Sequence, residues 1–142
     1  MRRPEELVGR SVERTIRVAM GDVDASRIHF AAVFGYADRC SADLFHELDL
    51  PPSAMLNSGF GLPVVHAAAQ YIRPFGLDDL VAVRSSVTET GGKSLSVEHR
   101  ITRCDDRAGL ALVTMVHVCV SLEGGEAVPL TRLLEAMAVS HA

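Results

Sequence analysis

The hydrophobic periods along the chain point to an α+β domain, an antiparallel sheet wrapped around one long central helix. One early stretch, His29 to Leu48, repeats its apolar residues at spacings of three and four, which is the helical period. Several segments around it alternate with period two, others are apolar runs bounded by turn residues, and the later ones are joined by short turns. The helical stretch is also rich in small residues, Ala31, Ala32, Gly35, Ala37 and Ala42. Small side chains let a helix axis approach a sheet closely, so this helix is expected to be enclosed by the sheet.

The elements follow in order. Val12 to Met20 alternates loosely, with Val12, Ile16, Val18 and Met20 on one face and Glu13, Thr15 and Arg17 on the other. That is a half-buried strand. Gly21-Asp22-Val23-Asp24-Ala25-Ser26 ends it with turn-forming residues. The helix then runs for about five turns, with Phe30, Phe34, Ala37, Ser41, Leu44 and Leu48 on its apolar face, and Leu50-Pro51-Pro52 stops it. Strands are expected over Leu62–Ile72, Leu80–Thr88, Ser94–Arg103 and Ala108–Leu122. The last is apolar on both faces, as in a strand covered from both sides. Gly91-Gly92 and Asp105 to Gly109 supply hairpin connections, and a terminal helix is expected over about Leu130 to Ala138. A single helix cannot cover both faces of a four-stranded sheet. Either one face stays wet or a second copy packs against it.

A chain of 142 residues suits one domain, 1–142, with a short flexible N-terminus of about ten residues. Its 48% hydrophobic content is ordinary for a globular chain with an apolar lean, and in so short a chain the positive mean hydropathy again suggests surface covered by another subunit. No window approaches the roughly 18 consecutive apolar residues of a membrane span, so no membrane partner is expected. Met1-Arg2-Arg3-Pro4-Glu5-Glu6 leads into no apolar signal core. Cys40, Cys104 and Cys119 are odd in number and form no CxxC pair. Free, mostly buried thiols in a reducing, cytoplasmic setting are the simplest expectation. With a net charge of −4 and scattered Lys and Arg, the chain lacks the footprint of a nucleic-acid binder.

The candidate centre is the segment from Gly21 to Phe30, which joins the first strand to the N-terminus of the long helix. The first N–H groups of a helix lack intrahelical partners, and the helix dipole adds partial positive charge. A carbonyl oxygen gaining negative charge during attack can be held there by main-chain donors. Asp24 lies a turn's length away, and a partly desolvated carboxylate there would be more basic. An Asp before a helix is, however, most often a cap or a turn residue.

Gly21-Asp22-Val23-Asp24 followed by a hydrophobic helix resembles the opening motif of the 4-hydroxybenzoyl-CoA thioesterase family, the hotdog acyl-CoA thioesterases. Val33-Phe34-Gly35-Tyr36-Ala37-Asp38, Leu50-Pro51-Pro52, Pro63-Val64-Val65, Tyr71-Ile72-Arg73-Pro74, Asp78-Asp79-Leu80 and Lys93-Ser94-Leu95 resemble later signatures in the family's order. The ordered set is what carries the resemblance. It implies a hotdog fold paired across a twofold axis, with active sites at the dimer interface. The implied partners are a second copy and an acyl-CoA or acyl-carrier-protein substrate; pairing of dimers into a tetramer stays open. Asp24 falls at the family's catalytic position, as nucleophile or general base. The oxyanion donor carries over to the main-chain N–H of Phe30 or Ala31, and coenzyme A contacts to Lys93 and Ser94. Between Asp24 and the helix the chain is one residue shorter than the family pattern, and Gly91-Gly92 stands where some members carry arginines.

His29 is a candidate assistant to Asp24, or a polar residue at a helix start. His66, within an apolar run, is a candidate for the acyl pocket or a satisfied interface histidine. His117 is read as structural, and His46, His99 and His141 as exposed. No grouping has metal-ligand spacing, and neither a cofactor nor a metal is expected. Ser94 and Ser96 lack a GxSxG context, which disfavours a serine triad. Two other readings remain. Asp24 and His29 are five apart, a separation used by hotdog hydratases acting on enoyl-thioesters, although Ser26-Arg27-Ile28 replaces their Asn-Pro pair. A hotdog dimer that binds an acyl chain or carrier protein without chemistry is the other.

Overall fold

The computed structural model describes residues 2–140, so His141 lies outside the described residues. Five strands form one antiparallel sheet in the order β1-β6-β7-β8-β5: β1 Ser11–Arg17, β5 Val64–Tyr71, β6 Leu80–Thr90, β7 Ser94–Arg103 and β8 Gly109–Val118. Helix α1, Ala32–Glu47, packs on β1, β6 and β8. The strands from Leu80 onward pair as sequential hairpins, because their connections are too short for a crossover.

The inward faces follow the period-two pattern. Val81, Val83 and Val87 of β6, Leu95, Val97 and Ile101 of β7, and Val113 and Met115 of β8 are buried under α1. From the helix, Val33, Tyr36, Ala37, Cys40, Ser41, Leu44 and Phe45 are buried. The helix begins three residues later than its apolar pattern suggested. Phe30 is 67% exposed, Phe34 is half-buried, and Val33, Tyr36 and Cys40 carry the contact. Met20, expected on the inward face of β1, is exposed, since the strand ends at Arg17 and a 3-10 turn over Met20–Asp22 re-aims the chain.

Three pieces have no period long enough to read in sequence. A two-residue hairpin joins β2, Val23–Asp24, to β3, Arg27–Ile28. Helix α2, Pro52–Asn57, begins on Pro52. Strands β4, Phe60–Gly61, and β9, Val120–Ser121, make a small second sheet. The N-terminal arm, expected to be flexible, carries a 3-10 helix over Pro4–Leu7 with Leu7 buried against the core. The C-terminal helix α3 spans Leu130–Ser140 and adds Leu130, Leu133, Leu134 and Met137 to that cluster.

Strand β5 is one of the two edges of the sheet, β1 being the other. Val64, Val65, Tyr71 and the following Ile72 are 45–60% exposed, and most of the strand is uncovered. An apolar edge with unpaired main-chain groups is a template for pairing with another strand. The outward side chains of β8, Leu112, Thr114, Val116 and Val118, are only half-buried, so within one protomer this strand is covered on one face. Among the described residues no helix is long and apolar enough to cross a membrane.

Candidate active site

Asp24 sits on the β2–β3 hairpin, whose tight turn places Ala25 at φ +58°, in the left-handed region. The hairpin is pinned to the loop before β6. Ile28 N–H donates to Phe75 O (2.9 Å), Leu77 N–H donates to Ser26 O (2.9 Å), and Arg27 bridges Gly76. Only glycine fits there: a Cβ on residue 76 would lie 1.9 Å from Ser26 O.

The neighbouring carboxylate has a structural task. Asp22 Oδ2 accepts from Ala19 N–H (3.0 Å) and from the Tyr36 hydroxyl (2.8 Å), tying the turn to α1. Burial, with the Asp22 carboxylate beside it, holds the Tyr36 hydroxyl far above its ordinary pKa, so it remains a donor.

His29 is placed by its main-chain N–H, which donates to Asp22 O (2.8 Å). Its Nδ1 accepts from Ala31 N–H (3.2 Å), which in the neutral ring leaves the proton on Nε2. That Nε2 lies 3.9 Å from Asp24 Oδ2. The structure thus brings Asp24 and His29 together at the start of α1. Of the two main-chain donors considered there, Ala31 N–H is occupied by His29, and Phe30 N–H has no hydrogen-bond partner among the described residues. The Tyr71 hydroxyl of β5 donates to Phe30 O and ties the helix start to the sheet edge.

The expected desolvation of Asp24 is not found within the chain, where its side chain is 78% exposed. His66 is not beside the helix: the register pairs it with Val116, on the face turned away from α1. Lys93 and Ser94 stand at the β6–β7 turn, the end of the sheet where Leu95, His117 and Val64 pair. The Asp24 hairpin stands at the other end, beside Phe75 and Gly76. Within a protomer these two groups are therefore not brought together.

Two cavities open at the Val64 end of β5. One of about 290 Å³ lies between α1, β5 and β8, lined by Asp38, Ser41, Phe45, Val64, Met115 and His117 among others. The other, of about 400 Å³, is almost wholly apolar and includes Met55, Leu56, Val120 and Leu122. They share Phe45, Pro52, Leu62 and Pro63 as a common wall.

His99, expected to be exposed, is fully buried on the inward face of β7. Its Nδ1 lies 2.5 Å from Ser85 Oγ and its Nε2 3.5 Å from Ser41 Oγ. Burial, with His117 nearby, pushes its pKa down to about 4. The alternation of Leu95, Val97 and Ile101 already puts residue 99 on that face. His117 is buried as well, with its ring edge-on to Phe45 at 5.3 Å. His46 is exposed. All three cysteines are free, Cys40 and Cys119 buried and Cys104 partly so. No group of metal-ligating side chains occurs among the described residues.

The family model described as the thioesterase-like superfamily matches residues 18–137. No curated protein sequence matches. Among solved structures, a 1,4-dihydroxy-2-naphthoyl-CoA thioesterase from Synechocystis is similar, with a TM-score of 0.79 at 20% identity over 90% of this chain and 96% of that one. A gentisyl-coenzyme A thioesterase has a TM-score of 0.76 at 23% identity, over 87% of this chain and 99% of its own. A Staphylococcus aureus protein solved in complex with CoA has a TM-score of 0.80 at 12% identity, over 94% of this chain and 84% of its own. At these identities the likeness speaks for the fold, the hotdog arrangement of a large antiparallel sheet and one long helix. The family model spans most of the chain, from just after β1 into α3, and the protein belongs to the thioesterase-like superfamily, a family of thioester hydrolases.

Proposed function

We propose that the protein hydrolyses acyl-CoA thioesters, with Asp24 as the catalytic carboxylate and the main-chain N–H of Phe30 as the oxyanion donor. The observation that supports this reading is a pinned hairpin that carries Asp24 to 3.9 Å from His29, next to Phe30, whose main-chain N–H has no hydrogen-bond partner among the described residues. The thioester oxygen accepts from Phe30 N–H, and the partial positive charge of the helix start adds to that donor. Asp24 then attacks the carbonyl carbon, giving an anhydride that water opens, or takes a proton from the attacking water. Both routes release the thiol and a carboxylic acid. CoA is favoured as the thiol because the similar structures named above are CoA-thioester enzymes or were solved with CoA. Acyl-carrier-protein substrates are compared in the same assay.

A second copy completes the site in this reading. Antiparallel pairing of β5 with its twofold copy, about an axis near Ala67 and Ala68, sets Tyr71 opposite the partner's Val64. The Asp24 hairpin of one protomer then faces the cavities and the Lys93 turn of the other. That removes the exposed apolar edge and gives Asp24 the low-dielectric surroundings that one protomer lacks.

The test is thiol release from a panel of acyl-CoAs by wild type and Asp24→Asn. Loss of a positioned base or nucleophile costs roughly 100-fold or more in kcat, while the variant stays folded and of unchanged mass in solution. An Asp24→Asn protein with near wild-type turnover sinks the assignment. The 3.9 Å approach of His29 Nε2 to Asp24 keeps one other reading in play, hydration of an enoyl-thioester by the same pair. Product analysis with an enoyl-CoA separates them, since hydration adds water without releasing thiol.

A further inference from the structure

We propose that Tyr36 and Asp22 act as a positioning pair: the Tyr36 hydroxyl holds the Asp22 carboxylate, and Asp22 in turn fixes the hairpin that carries Asp24 relative to the start of α1. The inference rests on the hydrolase reading above, for which it names the contact that keeps Asp24 in place against the Phe30 N–H.

The incoming side of the hairpin has few other holds. Val18 is tied to the loop before β6, its N–H donating to Asp79 O (2.8 Å) and its carbonyl accepting from Asp78 N–H (3.1 Å). Beyond it, the only hydrogen bond that ties residues 19–24 to a segment outside the hairpin and its neck, among the described residues, is the one from Tyr36 to Asp22. Asp22 stands at that neck. Its carbonyl accepts from His29 N–H (2.8 Å), and the Val23–Ile28 and Asp24–Arg27 pairs follow directly. Its side chain anchors what its main chain closes: Oδ2 takes both bonds, from Ala19 N–H at 3.0 Å and from the Tyr36 hydroxyl at 2.8 Å.

Tyr36 is suited to be the fixed end. It is 1% exposed, on the second turn of α1, and belongs to the core cluster that includes Val18, Val33, Phe75 and Val81. A ring enclosed by close-packed side chains leaves its hydroxyl one place to stand. A hydrogen bond from that hydroxyl to an ionised acceptor is also stronger than one between neutral groups. Phe75, in the same cluster, lends its carbonyl to Ile28 N–H (2.9 Å) on the outgoing side of the hairpin. The outgoing side therefore hangs on the loop before β6, and the incoming side on α1. Helix α1 begins two residues after Phe30. A bond from this helix to Asp22 thus couples the carboxylate's hairpin to the oxyanion donor without passing through the sheet.

The experiment measures kcat and KM for thiol release, with an acyl-CoA that the wild type hydrolyses, in Tyr36→Phe, Asp22→Ala, Asp22→Asn and the double variant Tyr36→Phe/Asp22→Ala. Tyr36→Phe deletes one oxygen and leaves the ring in place. Its kcat should fall about tenfold with KM within about twofold, since a displaced reacting group penalises the chemical step. In Asp22→Asn the amide oxygen can accept both bonds, so this variant should stay within about threefold of wild type, unlike Asp24→Asn. In the double variant the losses should not add, because either single change already breaks the one contact. Turnover of Tyr36→Phe within about twofold of wild type overturns the proposal and leaves the hydrolase reading standing, as do fully additive losses in the double variant. An Asp22→Asn protein as inactive as Asp24→Asn overturns it too, because the charge of Asp22 would then belong to the chemistry. Failure of the wild type to release thiol from any acyl-CoA strikes the hydrolase reading itself, on which this inference depends. Should Asp22→Ala not fold, Tyr36→Phe and Asp22→Asn still decide.

Discussion

Replacing Gly76 with alanine tests whether the loop before β6 sets the position of Asp24. The added Cβ would stand 1.9 Å from Ser26 O and 3.0 Å from Arg27 Cα, both on the hairpin that carries Asp24. Restoring ordinary contact at 3.4 Å requires the hairpin to retreat by about 1.5 Å from Ser26 O alone. It cannot do so without breaking the Leu77 N–H to Ser26 O bond and the Arg27–Gly76 bridge. The obstruction is steric, and it involves main-chain atoms with no flexible side chain to yield. A displacement of about 1 Å in a catalytic group costs on the order of 100-fold, so kcat/KM should fall by about that factor. Overpacking at one site costs roughly 1–3 kcal/mol, which corresponds to a fall in Tm of about 3–10 °C for a domain of this size. The assay pairs thiol release with a thermal melt. The signature is a hundredfold loss of rate in a protein that still melts cooperatively at assay temperature. Activity within about twofold of wild type would refute the reasoning, because the hairpin would then have moved without consequence for the chemistry.

Two further outcomes follow from the same geometry. Val65→Lys places a charge on the exposed edge strand β5, and sedimentation should report a monomer with little thiol release; a monomer of full activity would remove the second copy from the site. His99 is buried with a pKa of about 4, below its ordinary value, so the folded state binds fewer protons than the unfolded state between about pH 4 and 6.5. Stability from this group is therefore complete above about pH 6.5 and is lost as the pH falls toward 4, by up to ~3 kcal/mol. Urea titrations at pH 7 and pH 5 should show a steeper loss in wild type than in His99→Gln, and parallel losses would contradict the assignment.

Much of the fold was legible in the chain. Period-two stretches and bounded apolar runs place the long strands within a few residues, and Ser94–Arg103 matches β7 at both ends. The period of three and four located α1, although its buried face was displaced toward Val33, Tyr36 and Cys40. The displacement arose because Phe30, apolar and in phase with the pattern, lies before the first helical turn, where no sheet covers it. Short pieces escaped for want of length: two residues of β2 or β4 carry no period at all. His99, expected to be exposed, is buried, as the alternation of its own strand already implies. A polar residue in an apolar phase is buried when partners await it, and Ser85 and Ser41 come from other elements.

By itself the sequence determined the types of the long elements, most of the inward apolar positions of their strands and the ordered motifs that point to Asp24. These are local properties, written in side-chain periods of two or three and a half residues and in short runs of turn chemistry. The tertiary structure alone decided that Gly76 seats the Asp24 hairpin, that Ala31 N–H is taken while Phe30 N–H has no partner among the described residues, and that His66 faces away from the helix. It also decided that His117 is buried beside a cavity, its Nε2 without a hydrogen-bond partner among the described residues. Each of these depends on main-chain or side-chain atoms from segments distant in sequence meeting within a few ångströms. Such meetings are set by strand order and register, which a periodic pattern allows in many arrangements and a folded chain realises in one.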